Sequence, residues 1–251
     1  MSGAEVHWYA WLNKLRRSWR YRLAYRLARP QAPIQPVPFR GPALIVGSAP
    51  ASNLPEGFDS RFSVICVNGS QVVTAGWGID APDVTFLQFN QVEGKGERAA
   101  AVRGALSGKR CGILYVLRWP KSEARLREGL AAFDYGYNEL RLINQYHRTR
   151  LAESVLGRII PEGDNESKFS NGITSLLYAI YNGATAVIIT GIDPSSAGHV
   201  YNDLKMRRLH SDTDVKILLE LLERGFRLYT SDPHVAESTG LPLWSKKELR
   251  E

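Results

Sequence analysis

The stretch SNGITSLLYAIYNGATAVIITGID, residues 170–193, decides the fold. Its first half opens on small polar residues, runs into an apolar helical pattern and stops near Gly183, so the helix would aim its amino-terminal amides at an anion. Its second half, AVIITG, is an apolar, β-rich run that delivers Gly191-Ile192-Asp193 to the same edge of a sheet. A helix feeding a buried strand, with a polar turn beyond it, predicts an α/β protein whose site lies past the strands' carboxyl ends.

The rest of the chain repeats the theme from residue 43 onward. Strands are predicted at 43–47, 63–68, 83–89, 111–117, 186–191 and 226–230, and helices near 97–106, 121–132, 171–183 and 212–224. This is a Rossmann-like, mainly parallel sheet with helices on both faces. The segment 134–170 has no legible pattern, and PEGDNESK within it reads as an exposed loop. Beyond the first strand, Gly47 and Ser48 let backbone amides approach a ligand, in a turn that is neither a Walker loop nor a complete GxGxxG. Asn68 follows the second strand, and Gln88 and Asn90 end the third. Their amides can donate and accept toward a base or a ribose, or can simply cap turns.

The net charge of +7 is confined to the first 40 residues, where Lys14 and seven arginines face Glu5 alone; the other 211 residues balance. Within that segment Trp8, Trp11, Leu12, Leu15, Trp19, Leu23 and Leu27 recur at three- and four-residue steps, with arginine over most of the other side. The domains are thus 1–40, a basic amphipathic helix and Pro-rich extended linker, and 41–251, the body, with a lid at about 194–211. Two readings of the helix stand. It lies on an anionic membrane surface through residues 1–29, which would place the protein in the cytoplasm on the inner face of the cytoplasmic membrane. Alternatively the stripe packs on the body or on a second copy in a homo-oligomer. Nucleic acid is not expected, because the body carries no spread basic face and no binding module. Cys66 and Cys111 sit in apolar runs without metal-knuckle spacing and read as reduced core residues. No window is apolar for long enough to span a membrane.

His210 precedes Ser211-Asp212-Thr213-Asp214 and a long amphipathic run. Ser211 and Asp214 have capping-box spacing, with both aspartates in the positive first turn. The helix dipole disfavours the imidazolium while the carboxylates favour it, which suits a neutral base at pH 7. The plain alternative is a residue that packs before the cap. Asp212-Thr213-Asp214 also has the DxD form of metal-dependent glycosyltransferases. At a helix start it reads as a cap, and no metal or other cofactor is expected.

Gly47-Ser48-Ala49-Pro50, Cys66-Val67-Asn68, the stretch 170–193 and HSDTDVKILLELLERGFRLY (210–229) resemble, in order and spacing, the bacterial sialyltransferases of glycosyltransferase family 42. The likeness spans residues 43–235 and leaves out the amino-terminal helix. It implies an inverting, metal-independent transfer of a 2-keto sugar acid from a CMP-sugar to a glycan or glycolipid acceptor. By position, Ser48 and Asn68, with Gln88 or Asn90, would meet the nucleotide. Ser170, Asn171, Gly172 and Gly191 would face the CMP moiety, with Asp193 beside them; Tyr201 would contact the leaving phosphate and His210 would be the general base. Ser48 replaces the family's usual asparagine, Asn171 replaces a serine, and Ser195 and Arg207 replace two lid tyrosines. Arg207, with Arg208 or Lys205, would then stabilise the leaving phosphate. A changed donor such as CMP-Kdo, in lipopolysaccharide or capsule synthesis, fits these departures. A phosphate-transfer enzyme of related fold, or a catalytically degenerate membrane- or partner-binding module, is the alternative.

Overall fold

The computed structural model describes residues 3–162, 168–193, 200 and 210–250. Seven strands form one sheet: β1 (Ala43–Val46), β2 (Ser63–Val67), β3 (Val84–Gln88), β4 (Arg110–Leu117), β5 (Gly136–Ile143), β6 (Val187–Thr190) and β7 (Leu228–Thr230). Their order is β5-β4-β3-β2-β1-β6-β7 and every pairing is parallel. All four residues of β1 are fully buried between β2 and β6, with Ile45 in register with Ile65 on one side and Ile189 on the other. Such a run needs cover on both faces, and it has it.

The helices are α1 (Gly3–Ala28), α2 (Gln71–Gly76), α3 (Phe89–Glu93), α4 (Glu97–Leu106), α5 (Glu123–Ala131), α6 (Gln145–Leu156), α7 (Asn171–Tyr181), α8 (Ser211–Glu223) and α9 (Pro233–Thr239). On one face Ile45, Ile65, Phe86 and Ile189 pack with α6, α7 and α8; on the other, Leu87, Leu114 and Val116 pack with α4 and α5. The α7 helix is buried almost throughout, and its buried Thr174 and Ser175 hydroxyls are satisfied one turn back, on the Ser170 and Asn171 carbonyls respectively.

The first strands leave β1 in one direction and β6 lies on its other side, so the connection reverses between β1 and β6. In open parallel sheets this switch point opens a crevice at the carboxyl edge. Two glycines make the close approach there possible. A Cβ on Gly47 would lie 2.2 Å from the Gly191 carbonyl oxygen, and Gly191 takes φ +61°.

The segment 134–170 holds β5 and α6, which its residues do not announce. The β5 strand is the sheet edge, with Asn138, Glu139 and Arg141 interleaved among its apolar residues, the pattern of a guarded edge rather than a buried run.

The α1 helix docks on α6, though not by the Trp/Leu stripe. The Tyr21 hydroxyl shares a 2.7 Å hydrogen bond with Thr149 Oγ1, and Tyr25 donates to the Glu153 carboxylate. Both tyrosines are buried, while Trp8, Trp11, Leu15, Trp19, Leu23 and Leu27 are exposed. The stripe therefore does not pack on this body. Arginine is also not confined to the side away from it, since Arg22 and Arg26 follow Trp19 and Leu23 at three-residue steps. The linker is no free tether either, because Ala32 and Phe39 are buried in the main core.

Candidate functional site

A cavity of ≈ 290 Å³ opens at the carboxyl edge across the switch point. Gly47, Ser48, Asn68, Gln88, Asn90, Ser170, Asn171, Gly172, Gly191 and His210 all line it. Residues separated by more than 160 positions meet because each follows the end of a parallel strand or starts a helix at that edge.

The amides brace one another across the floor. Asn68, whose φ of +53° asparagine tolerates better than most residues, accepts a 3.1 Å bond on Oδ1 from the Gln88 amide. Gln88 Oε1 in turn accepts from Asn171 Nδ2 at 3.3 Å. The same side chains thus support the turns and line the cavity.

Ser170 caps α7, its Oγ accepting from the Ile173 amide at 3.2 Å. Behind it Asp214 Oδ1 accepts from the Ser170 amide at 2.8 Å. This corrects the capping-box expectation. The α8 helix starts with His210 at its cap, whose carbonyl accepts from the Asp214 amide, and the Asp214 carboxylate reaches across to α7. That link fixes the start of α8, and with it His210, against the helix terminus that faces the cavity.

Asp193 is not on the wall. Ile192 lines the cavity and buried Asp193 does not, its carboxylate lying 3.5 Å from His234 Nδ1. Tyr201, Lys205, Arg207 and Arg208, with Ser195 and most of the lid, lie outside the described residues. Val200 is described, its amide donating to the Ser48 carbonyl at 2.8 Å. Among the described residues no group of three or more His, Cys, Asp or Glu side chains is placed to hold a metal.

The cavity also gathers four cations outside the predicted site: Arg98, Arg118, Arg148 and Lys168. Arg148 is almost fully buried. It donates to the Phe169 carbonyl at 2.6 Å and to Thr174 Oγ1 at 3.0 Å, lies over the Phe169 ring, and pairs with Glu162 at 3.0 Å. Burial holds the Arg148 pKa down against the pull of Glu162, and burial pushes the Glu162 carboxyl up against that of Arg148. Both partners shift toward their neutral forms, so desolvation outweighs their attraction. Arg118 is held at φ +61° directly after β4, and its amide donates to the Ile143 carbonyl at 2.7 Å. The side chains of Arg98 and Arg118 make no hydrogen bond or ion pair among the described residues, so both are available to an anion. A charge tally hid this cluster because acidic residues balance basic ones over the body as a whole. The left-handed residue was likewise invisible, since arginine carries no sign of it.

A larger hollow of ≈ 650 Å³ lies at the amino edge. Its Arg61 and Arg227 are paired with Asp59 and Glu248, and it meets the amino ends of the strands, opposite the edge at which open parallel sheets bind ligands.

No protein-family model matches the chain, and no curated protein matches its sequence. Solved structures do. Against the monofunctional alpha-2,3-sialyltransferase Cst-I of Campylobacter jejuni the TM-score is 0.50 at 14% identity, over 81% of this chain and 80% of that one. The sialyltransferase CstII of the same organism, in complex with cytidine-5'-monophosphate, gives 0.49 at 17% identity over 82% and 86% of the two chains. With the substrate analogue CMP-3FNeuAc it gives 0.48 at 14% over the same shares. At such identities what is shared is the fold: the α/β, Rossmann-like architecture expected from the sequence is that of Cst-I.

Proposed function

We propose that the protein is a glycosyltransferase that moves a 2-keto sugar acid, sialic acid or Kdo, from a CMP-sugar to a glycan or glycolipid acceptor with inversion. One observation carries this reading: His210, the amino terminus of α7 and the guanidinium-bearing Arg98 and Arg118, which pair with no described residue, meet in one cavity at the β1/β6 switch point. An imidazole beside an anion site suits a displacement whose leaving group is a phosphate.

In this reaction the acceptor hydroxyl oxygen attacks the anomeric carbon, the bond from that carbon to the phosphate oxygen breaks, and CMP leaves with the electron pair. The hydroxyl proton passes to His210. The first amides of α7 and Arg118 take up the charge that grows on the phosphate, while Asn68, Gln88 and Asn171 orient the nucleotide. By the resemblance, Tyr201 and Arg207, with Arg208 or Lys205, would meet the leaving phosphate. No step uses a metal. A membrane glycolipid is the acceptor that α1 suits, since its Trp/Leu stripe and arginines match an anionic surface.

Titration with CMP, CDP, UDP and GDP tests the donor class: CMP should bind best, and preference for UDP or GDP, or no binding, overturns the reading. His210→Ala should remove turnover by about 10²- to 10⁴-fold, the usual share of general-base catalysis, with CMP affinity unchanged. Retained turnover would reject His210 as the base, and a product carrying phosphate instead of sugar would identify a phosphate-transfer enzyme.

A further inference from the structure

The path of α1 relates its exposed stripe to the mouth of the cavity. Tyr21 contacts the first turns of α6, through the Gln145 carbonyl at 3.2 Å and Thr149, while Tyr25, one turn later, reaches Glu153, one turn after Thr149. The two helices therefore run in the same direction. The α6 helix starts directly after β5 ends, at the carboxyl edge, and its Arg148 lines the cavity. At that edge α1 has reached only Tyr21. At ~1.5 Å per residue, the helix before it carries about 27 Å past the edge, on the side where the cavity opens.

The outward face of this overhang is aromatic. Trp8 and Trp11 stack with ring centroids 5.2 Å apart, and Trp19 is 70% exposed. Farther along, over the body, Arg22 and Arg26 interrupt the face, while Arg16, Arg17 and Arg20 belong to the overhang on other sides of the helix. Tryptophan favours the boundary of the acyl region and arginine the headgroup layer above it. A face zoned in this way seats its outer half deeper than its inner half.

We propose that α1 docks the protein on an anionic lipid bilayer by Trp8, Trp11, Leu15 and Trp19, and so tilts the carboxyl edge of the sheet, with the cavity mouth, toward the membrane. The charge complementarity is specific to this segment, because the body of the chain balances its charges and the whole excess of +7 lies in residues 1–40. No helix among the described residues is long and apolar enough to cross a membrane, so the contact is with the surface. The docking is independent of the chemistry inside the cavity.

The test uses the full chain with vesicles of phosphatidylcholine alone or with one part in three phosphatidylglycerol. Flotation with the anionic vesicles, falling as salt rises, is expected, and Trp8→Ser, Trp11→Ser and Trp19→Ser together should lower partitioning roughly tenfold or more. Orientation is read from the two ends of β4. Cys66 and Cys111 are buried, so a dye attached at Lys121→Cys, at the carboxyl edge, or at Ser107→Cys, at the amino edge, reports one place. Energy transfer to a headgroup dye should be greater from position 121. Equal or reversed transfer overturns the tilt. Absence of flotation, an unaffected triple variant, or a tryptophan-dependent dimer that ignores vesicles overturns the docking. CMP titration of the same samples reports separately on the cavity, so failed docking with intact CMP affinity refutes this inference and leaves the transferase reading untouched.

Discussion

Glu162→Gln, Arg148→Met and the double variant Arg148→Met/Glu162→Leu should behave in a way that a simple stabilising ion pair would not. The pair lies beneath the cavity with the side chains 4% and 0% exposed. Glu162→Gln leaves a buried guanidinium with the Phe169 carbonyl and Thr174 as its remaining partners, which costs about 3 kcal/mol. For a chain of this size that lowers Tm by roughly 6–12 °C. Arg148→Met leaves a buried carboxyl that can escape its cost by taking up a proton. Burial already raises the Glu162 pKa, and losing Arg148 raises it further. A raised folded-state pKa means that the folded protein holds more protons than the unfolded one, so stability is fully present below the unfolded value and is lost as pH rises through the folded value. Arg148→Met should therefore lose up to about 1.4 kcal/mol per pH unit above the ordinary glutamate range. Urea denaturation at pH 5, 6 and 7 measures this. The double variant, with no buried charge to desolvate, should match the wild type or exceed it. A double variant less stable than either single one, or an Arg148→Met curve that is flat with pH, would refute the reasoning. Glu162→Gln should also bind CMP more tightly than wild type, because it removes a negative charge beneath the anion site.

Arg118→Ala should weaken CMP binding by about tenfold or more, the effect of one charge-assisted contact, with little change in urea midpoint because the side chain makes no hydrogen bond or ion pair among the described residues; equal affinity in a titration would remove it from the site. Gly191→Ala should lower stability by more than ~1 kcal/mol and abolish CMP binding, since its Cβ would sit 2.4 Å from Ser52 Oγ at a positive φ; a folded variant with full affinity contradicts the close approach. Turnover should survive EDTA, and loss restored by Mn²⁺ would show that Asp212 and Asp214 hold a metal after all.

The central strands and α7 were legible because buried parallel strands leave an unbroken apolar record, as in ALIV and VIIT. The edge strand β5 was not, because an edge needs Glu139 and Arg141 more than it needs apolar continuity. The strand-end residues of the site followed from the sheet rule, since Gly47, Asn68, Gln88 and Gly191 each come directly at or after a strand end. Arg98 and Arg148 did not: each belongs to the cavity through the third dimension alone, whereas Arg118, directly after β4, was open to the same rule. The role of Asp214 was half read. Its place in the first turn of α8 was evident, but its bond to the Ser170 amide joins positions 44 residues apart. The face of α1 that meets the body was not announced: Tyr21 and Tyr25 dock it through their hydroxyls, and the longer stripe of tryptophan and leucine stays exposed.

The segment that joins α1 to β1 grips the far end of α7. Asn182 Oδ1 accepts from the Gln35 amide at 2.7 Å, its carbonyl accepts from the Phe39 amide at 2.9 Å, and its Nδ2 donates to the Pro33 carbonyl at 3.2 Å. The composition break near residue 40 is therefore a poor place to cut the gene. A chain beginning at Gly41 would strip these partners from a buried side chain and pull Phe39 from the core, whereas one beginning near Pro30 would shed the helix and keep the clasp. The covalent boundary and the folding boundary of this protein lie about ten residues apart.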